Sequence, residues 1–194
     1  MTYAGFWRRF GAYWIDFIIF LPVGLIAIWL FGQSQSAPSN WLLPGVAIGI
    51  WFHVYLVKRY GGTPGKLLLR LRIARVDGTA VRYREALLRY LPLLVMSALL
   101  SAAIAIASWE LTETEYMNLS WKERHVRLTQ LAPYWYQPIF VLAEMWTWSE
   151  FLVMMMNKKR RALHDFLAGT VVILSDSAQK AVAADASAEV RPRG

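Results

Sequence analysis

Arg9 and Asp16 stand seven residues apart in GFWRRFGAYWIDFIIFLPVGLIAIWLF, where a charged aromatic collar runs into an apolar segment. On an α-helix that spacing is two turns along one face, about 10.5 Å, with Tyr13 between them. A carboxylate inside such a segment must find a cation or lose its charge, so Asp16 is a candidate ion or proton site with Arg9 as its nearest partner. Three more ionisable residues share this setting: His53 in the second apolar run, and Glu144 and Glu150 in the last. His53 reads either as a proton relay or as a histidine satisfied by one hydrogen bond. Glu144 and Glu150 lie about 120° apart around a helix, so they do not share one ion, but each is a candidate proton-carrying carboxylate. Asp165, with His164 beside it, follows the basic run Lys158 to Arg161. The segment GGTPGK looks like a phosphate loop but lacks its four-residue gap and the Ser or Thr after the lysine. It reads as a tight turn, or as a place where Gly62, Gly65 and Lys66 hold a lipid phosphate. No spacing matches a hydrolase triad, a zinc site or a dinucleotide fingerprint, and there is no cysteine. The expectation is therefore no enzyme, with no catalytic residue, cofactor or metal.

The elements that must position these groups follow from composition. A hydrophobic content of 57% and a mean hydropathy of +0.33 place the chain among membrane proteins. The net charge of +8 is concentrated in the short segments flanking the apolar runs. That is the positive-inside pattern, which points to a lipid bilayer with anionic head groups and not to nucleic acid. Phe10 to Phe31 is too long for a signal-peptide core and has no small-residue cleavage site, so it reads as a retained span. Further spans are expected at about 41–57, 87–108 and 134–156. The last has a re-entrant segment as its alternative, but four crossings put every basic segment, and both termini, on the cytoplasmic side. Gly45 and Gly49 form a small-xxx-small pair, and Ser97, Ser101 and Ala105 with Ala98 and Ala102 form a small face; both should be packing seams. Alternation through Leu69, Leu71 and Ile73 followed by Asp77-Gly78 predicts a β-hairpin, to which GTVVILS adds a third strand or beside which it lies in the interface. Glu85 and Arg89 are placed to pair across a helical turn. Ser120 and Glu123 have capping-box spacing, which predicts an external amphipathic helix from Trp121. The fold class is an all-α polytopic membrane protein, a four-helix transmembrane bundle with a small cytoplasmic β-hairpin. Residues 1–175 form one transmembrane domain, and 176–194 read as a disordered tail.

Arg9, Ala12 and Asp16, then GGTPGKLLLRLRIARVDG, then RRALHDFLAGTVVI, resemble in type and order the RDD family of integral membrane proteins. That family is named for an arginine and two aspartates, and the matching positions are Arg9, Asp16 and Asp165. The resemblance implies a bacterial-type cytoplasmic membrane protein and, from what has been suggested for some members, cation or proton-coupled transport.

Two readings of the Arg9, Asp16 and Asp165 cluster stand side by side. One is a structural clamp, a guanidinium bridging two carboxylates and fixing the C-terminal segment onto the first helix. The other is an ion or proton site in which Asp16 alternates between Arg9 and a cation. The function expected is a cation- or proton-coupled transporter or transporter subunit. The alternative is a non-catalytic scaffold or assembly factor whose basic face docks on lipid. Partners beyond lipid would be further copies of the chain or other membrane proteins.

Overall fold

The computed structural model describes residues 2–175; the tail expected over 176–194 lies outside them. In order the elements are α1 (Phe6–Phe31), α2 (Ala37–Ile50), a π-helical turn (Trp51–Tyr55), α3 (Leu56–Tyr60), α4 (Pro64–Leu68), β1 (Leu71–Arg75), α5 (Tyr83–Ser108), α6 (Glu113–Asn118), α7 (Trp121–Leu131), α8 (Tyr136–Met156), α9 (Leu163–Ala168) and β2 (Thr170–Leu174). Four helical stretches, Phe6–Phe31, Ala37–Leu68, Tyr83–Ser108 and Tyr136–Met156, are long and apolar enough to cross a membrane. The architecture is all-α and polytopic, with one small antiparallel sheet. The chain divides into two compact units.

The first unit comprises, among the described residues, 2–17, 52–89 and 149–175. Its core is the sheet. Leu71 and Ile73 of β1 are buried while Arg72 between them is exposed, the period of two expected of a half-buried strand. The strand partner of β1 is β2, in the register Leu71 with Leu174 through Arg75 with Thr170. Asp77-Gly78 returns the chain only to a single bridge between Ala74 and Ala80. The connection from Arg75 to Thr79 has three residues, and of these Gly78 alone has positive φ, at 88°. A tight two-residue turn of the favoured type needs positive φ at both central positions or at the first. The other edge of β1 carries β2, whose Val171, Val172 and Ile173 are all buried. On the far side of β2, Ala4 N–H donates to Val172 O at 3.0 Å and Leu174 N–H to Thr2 O at 3.1 Å. The N-terminal residues thus lie along the last strand.

The second unit is Ile18–Trp51 with Tyr90–Trp148. Its core gathers Ala107, Leu111, Tyr116 and Leu128. Two capping boxes start α6 and α7, Thr112 with Glu115 and Ser120 with Glu123. The second was legible from spacing; α6 was not, because TETEYMN lacks the apolar run that marks a helix. Gln35, buried, donates through Nε2 to Ser108 O at 2.8 Å and Leu111 O at 2.5 Å. The buried face of α5 differs from the small-residue face expected: Met96, Ala103, Ala105, Ala107 and Ser108 are buried, whereas Ser101 is exposed. The glycine pair on α2 divides as well. Gly49 is buried with the Tyr90 phenol seated where a Cβ would be, while a Cβ on Gly45 would meet only the ring of Trp41, at 3.2 Å.

Gly49→Leu should therefore lower stability by about 1–3 kcal/mol through overpacking, and Gly45→Ala by less. Thermal unfolding in detergent, followed by tryptophan fluorescence, checks this; equal midpoints for the two variants would contradict it.

Candidate functional site

Asp165 lies on the first turn of α9, where its carboxylate reaches back to accept from Ala162 N–H at 3.1 Å. It is fully buried. Its Oδ2 accepts from Arg9 Nη1 at 3.0 Å, and its Oδ1 from Thr170 Oγ1 at 3.0 Å and from Arg89 Nη1. Each arginine makes a second bond to β2: Arg9 Nη2 to Val172 O at 3.3 Å, and Arg89 Nη1 to Thr170 Oγ1 at 2.5 Å. Arg161 closes the site by donating to the carbonyls of Asp165, at 2.7 Å, and Thr170, at 3.1 Å. Burial by itself would push the Asp165 carboxyl up, but the Arg89 and Arg9 guanidinium groups and the Ala162 N–H outweigh it. They hold it far below the ordinary carboxylate range.

His164 extends this cluster. Its Nε2 lies 2.7 Å from Arg89 Nη2 and its Nδ1 is bonded to Glu150 Oε1. A guanidinium has no acceptor, so Nε2 must accept from Arg89, which leaves the ring proton on Nδ1 to be donated to Glu150. Five side chains from α1, α5, α8 and α9 are thereby joined in the order Glu150, His164, Arg89, Asp165, Arg9. Aromatic contacts hold α8 on α1 beside them: Phe151 packs against Phe10 and Tyr13, each at a ring distance of 5.7 Å.

Asp16 does not join that chain. Its Oδ2 accepts from Thr63 Oγ1 at 2.5 Å and its Oδ1 from Gly65 N–H at 2.7 Å, and Lys66 Nζ stands 3.9 Å away. The three-residue cluster expected from the sequence is corrected to two sites. Arg9 is spent on Asp165 and Val172, while Asp16, two turns on, is captured by the first turn of α4. The lipid-phosphate reading of Gly62, Gly65 and Lys66 is corrected for the same reason. GGTPGK does gather donors for an anion, and the anion is the chain's own carboxylate. Gly65 is where the segments touch, because a Cβ there would run into Ala12 O and stand 2.9 Å from Asp16 Cγ.

A match to a known family covers residues 3–169, a stretch that holds the Asp16 site and, of the Asp165 site, all but Thr170 and Val172 of β2. The chain belongs to the RDD family. No curated protein and no solved structure matches it. In this RDD chain the arginine and the second aspartate meet, and the first aspartate has a site of its own. Glu150 is joined to the cluster, but Glu144 is exposed on α8 and, among the described residues, makes no hydrogen bond or ion pair. His53 sits in the π-helical turn, within electrostatic reach of Lys66, His164 and Arg89. Arg89 and Thr170 were missed. The expected Glu85–Arg89 pair does not form: Glu85 accepts from Arg82 N–H at 2.9 Å and stands 3.9 Å from Arg75. The signal for Arg89 was its place one turn before Pro92, at the mouth of an apolar helix. No group of His, Asp and Glu suited to a metal occurs among the described residues.

Asp165→Asn should cost about 3–5 kcal/mol, because it leaves two buried guanidinium groups without their counter-charge. Asp16→Asn, whose amide oxygen still accepts from Gly65, should cost about 1–2 kcal/mol. The folded pKa of Asp165 is depressed, so its contribution is complete above the unfolded value near 4 and is lost as pH falls below it. Denaturant unfolding at pH 7 and along an acid series reads both effects. An Asp165→Asn variant as stable as wild type at pH 7, or a wild-type advantage that fades between pH 8 and 5, would contradict the assignment.

Proposed function

We propose that this RDD family member is a proton-coupled cation transporter, or the membrane subunit of one, with Glu150 and His164 as the pair that takes up and releases the proton. The observation that carries this reading is the bonded order Glu150, His164, Arg89, Asp165. Ionisable groups on membrane-spanning helices are costly and mark ion or proton routes when they pair inward. Within this cluster Asp165 is sealed, whereas the side chains of Glu150 and His164 keep 27% and 17% of their surface exposed. They are the members a proton can reach.

The geometry also supplies a coupling step. A proton added at Nε2 turns the acceptor that faces Arg89 into a donor, so the Arg89–His164 bond is lost. Asp165 Oδ1 lies 3.7 Å from that nitrogen and is the acceptor next in line. Proton uptake would thus compete with Arg89 for Asp165 and loosen the contact that binds α5 to α9 and β2. Return of the proton restores it.

The placement we infer is a bacterial-type cytoplasmic membrane with the basic segments and both termini on the cytoplasmic side, supported by the run of cations at the helix ends. A scaffold or assembly role is the second reading. It is favoured by the saturation of Asp165 and Asp16, each of which already has its donors from the chain itself.

The test is proton flux in liposomes carrying the purified protein, driven in turn by sodium, potassium and lithium gradients. Folded wild type should show flux with at least one cation, and Glu150→Gln and His164→Asn should reduce it roughly a hundredfold while remaining folded. Absence of flux from folded wild type with all three cations would overturn transport in favour of the scaffold.

A further inference from the structure

Where α1 begins and α8 ends, the first unit holds a cleft of about 680 Å³ that neither site above uses. Its lining carries three cations, Arg8, Lys158 and Arg160, and among the described residues no acid. Among the described residues none of the three is ion-paired. The lining also includes apolar side chains, Trp7 and Met155 largely exposed and Met154 buried.

The position of Arg160 is built. Asn157 closes the end of α8: its side-chain amide donates to Val153 O at 2.6 Å and to Arg161 O at 2.7 Å, and its Oδ1 accepts from Arg161 N–H at 2.7 Å. The turn so formed puts Arg160 at φ 49°, a left-handed conformation that non-glycine residues seldom adopt. Its guanidinium lies over Gly5, where a Cβ would stand 2.8 Å from Nη1. The chain therefore holds a strained arginine turn against a glycine at the rim of a basic cleft, at the level where two spanning helices end.

We propose that this cleft binds the phosphate head group of an anionic phospholipid. Arg8, Lys158 and Arg160 would surround the phosphate, and Trp7 and Met155 would lie along the glycerol and upper acyl chain. Basic pockets at the ends of spanning helices recognise such head groups, and a neighbouring apolar wall selects a lipid over a free anion. The site is distinct from GGTPGK, whose Thr63 hydroxyl and Gly65 N–H donate to Asp16.

The test titrates the full-length protein in detergent with dioleoyl phosphatidylglycerol, dioleoyl phosphatidylcholine and inorganic phosphate, reading bound lipid by native mass spectrometry and affinity by thermal shift. Wild type should bind phosphatidylglycerol at least tenfold more tightly than phosphatidylcholine, with inorganic phosphate failing to compete. Arg8→Gln, Lys158→Gln and Arg160→Gln together should weaken that binding by roughly a hundredfold. Lys58→Gln, Arg59→Gln and Arg84→Gln, which remove three other exposed cations, should not. Gly5→Leu, which displaces Arg160 without removing charge, should also weaken binding, and it keeps the test decisive if the triple variant fails to fold. Equal binding of the two lipids, full competition by inorganic phosphate, or equal losses in both triple variants would overturn the proposal.

Discussion

The first unit depends on one buried carboxylate shared by two arginines. Asp165 lies in a loop-bounded helix of six residues, too short to hold itself together, and every element that surrounds it is fastened through its oxygens or through the arginines that meet them. Arg9 brings α1, Arg89 brings α5, and Thr170 brings the start of β2. A neutral side chain would leave both guanidinium groups buried without a counter-charge, so the cluster holds only as a unit. One carboxylate between two guanidinium groups also leaves net positive charge. His164 and Glu150 meet it on the open side, which is why the transport reading centres there.

A second carboxylate solves a different problem. Asp16 is held by a hydroxyl, a backbone N–H and a lysine at the start of α4, the arrangement by which helix N-termini hold anions. The consequence is structural: α1 and the segment leading into β1 are pinned at Gly65, two turns from where Arg9 pins α1 to β2. Two ionic contacts on one helix, facing different partners, fix its rotation as well as its position.

Much of this was legible before the fold. Hydropathy located the four long helices, alternation located β1, and spacing located the Ser120 capping box. Arg9 was identified from its spacing to Asp16, and Asp165 from the family resemblance, and the structure joins them. The rest depended on distances that local pattern does not encode. Strand composition in GTVVILS could not say that β1 would take it as its main partner, with the chain returning through Gly78 adding a single bridge. Asp16 and Arg9 share a helix face, yet each finds a partner remote in sequence, and a partner two turns away could not compete. Arg89 looked like half of a surface pair because Glu85 stands one turn before it, whereas the stronger attraction was a buried carboxylate 76 residues away.

Arg9, Arg89 and Asp165 act as one ionic unit, and a mutant cycle over all three measures their coupling. Arg9→Met, Arg89→Met and Asp165→Leu should each destabilise the folded protein, the last by about 3–5 kcal/mol. The triple variant, which removes both guanidinium groups together with the carboxylate between them, should recover to within about 1 kcal/mol of wild type. If the single losses instead add in the triple variant, the three residues are independent and form no ionic unit.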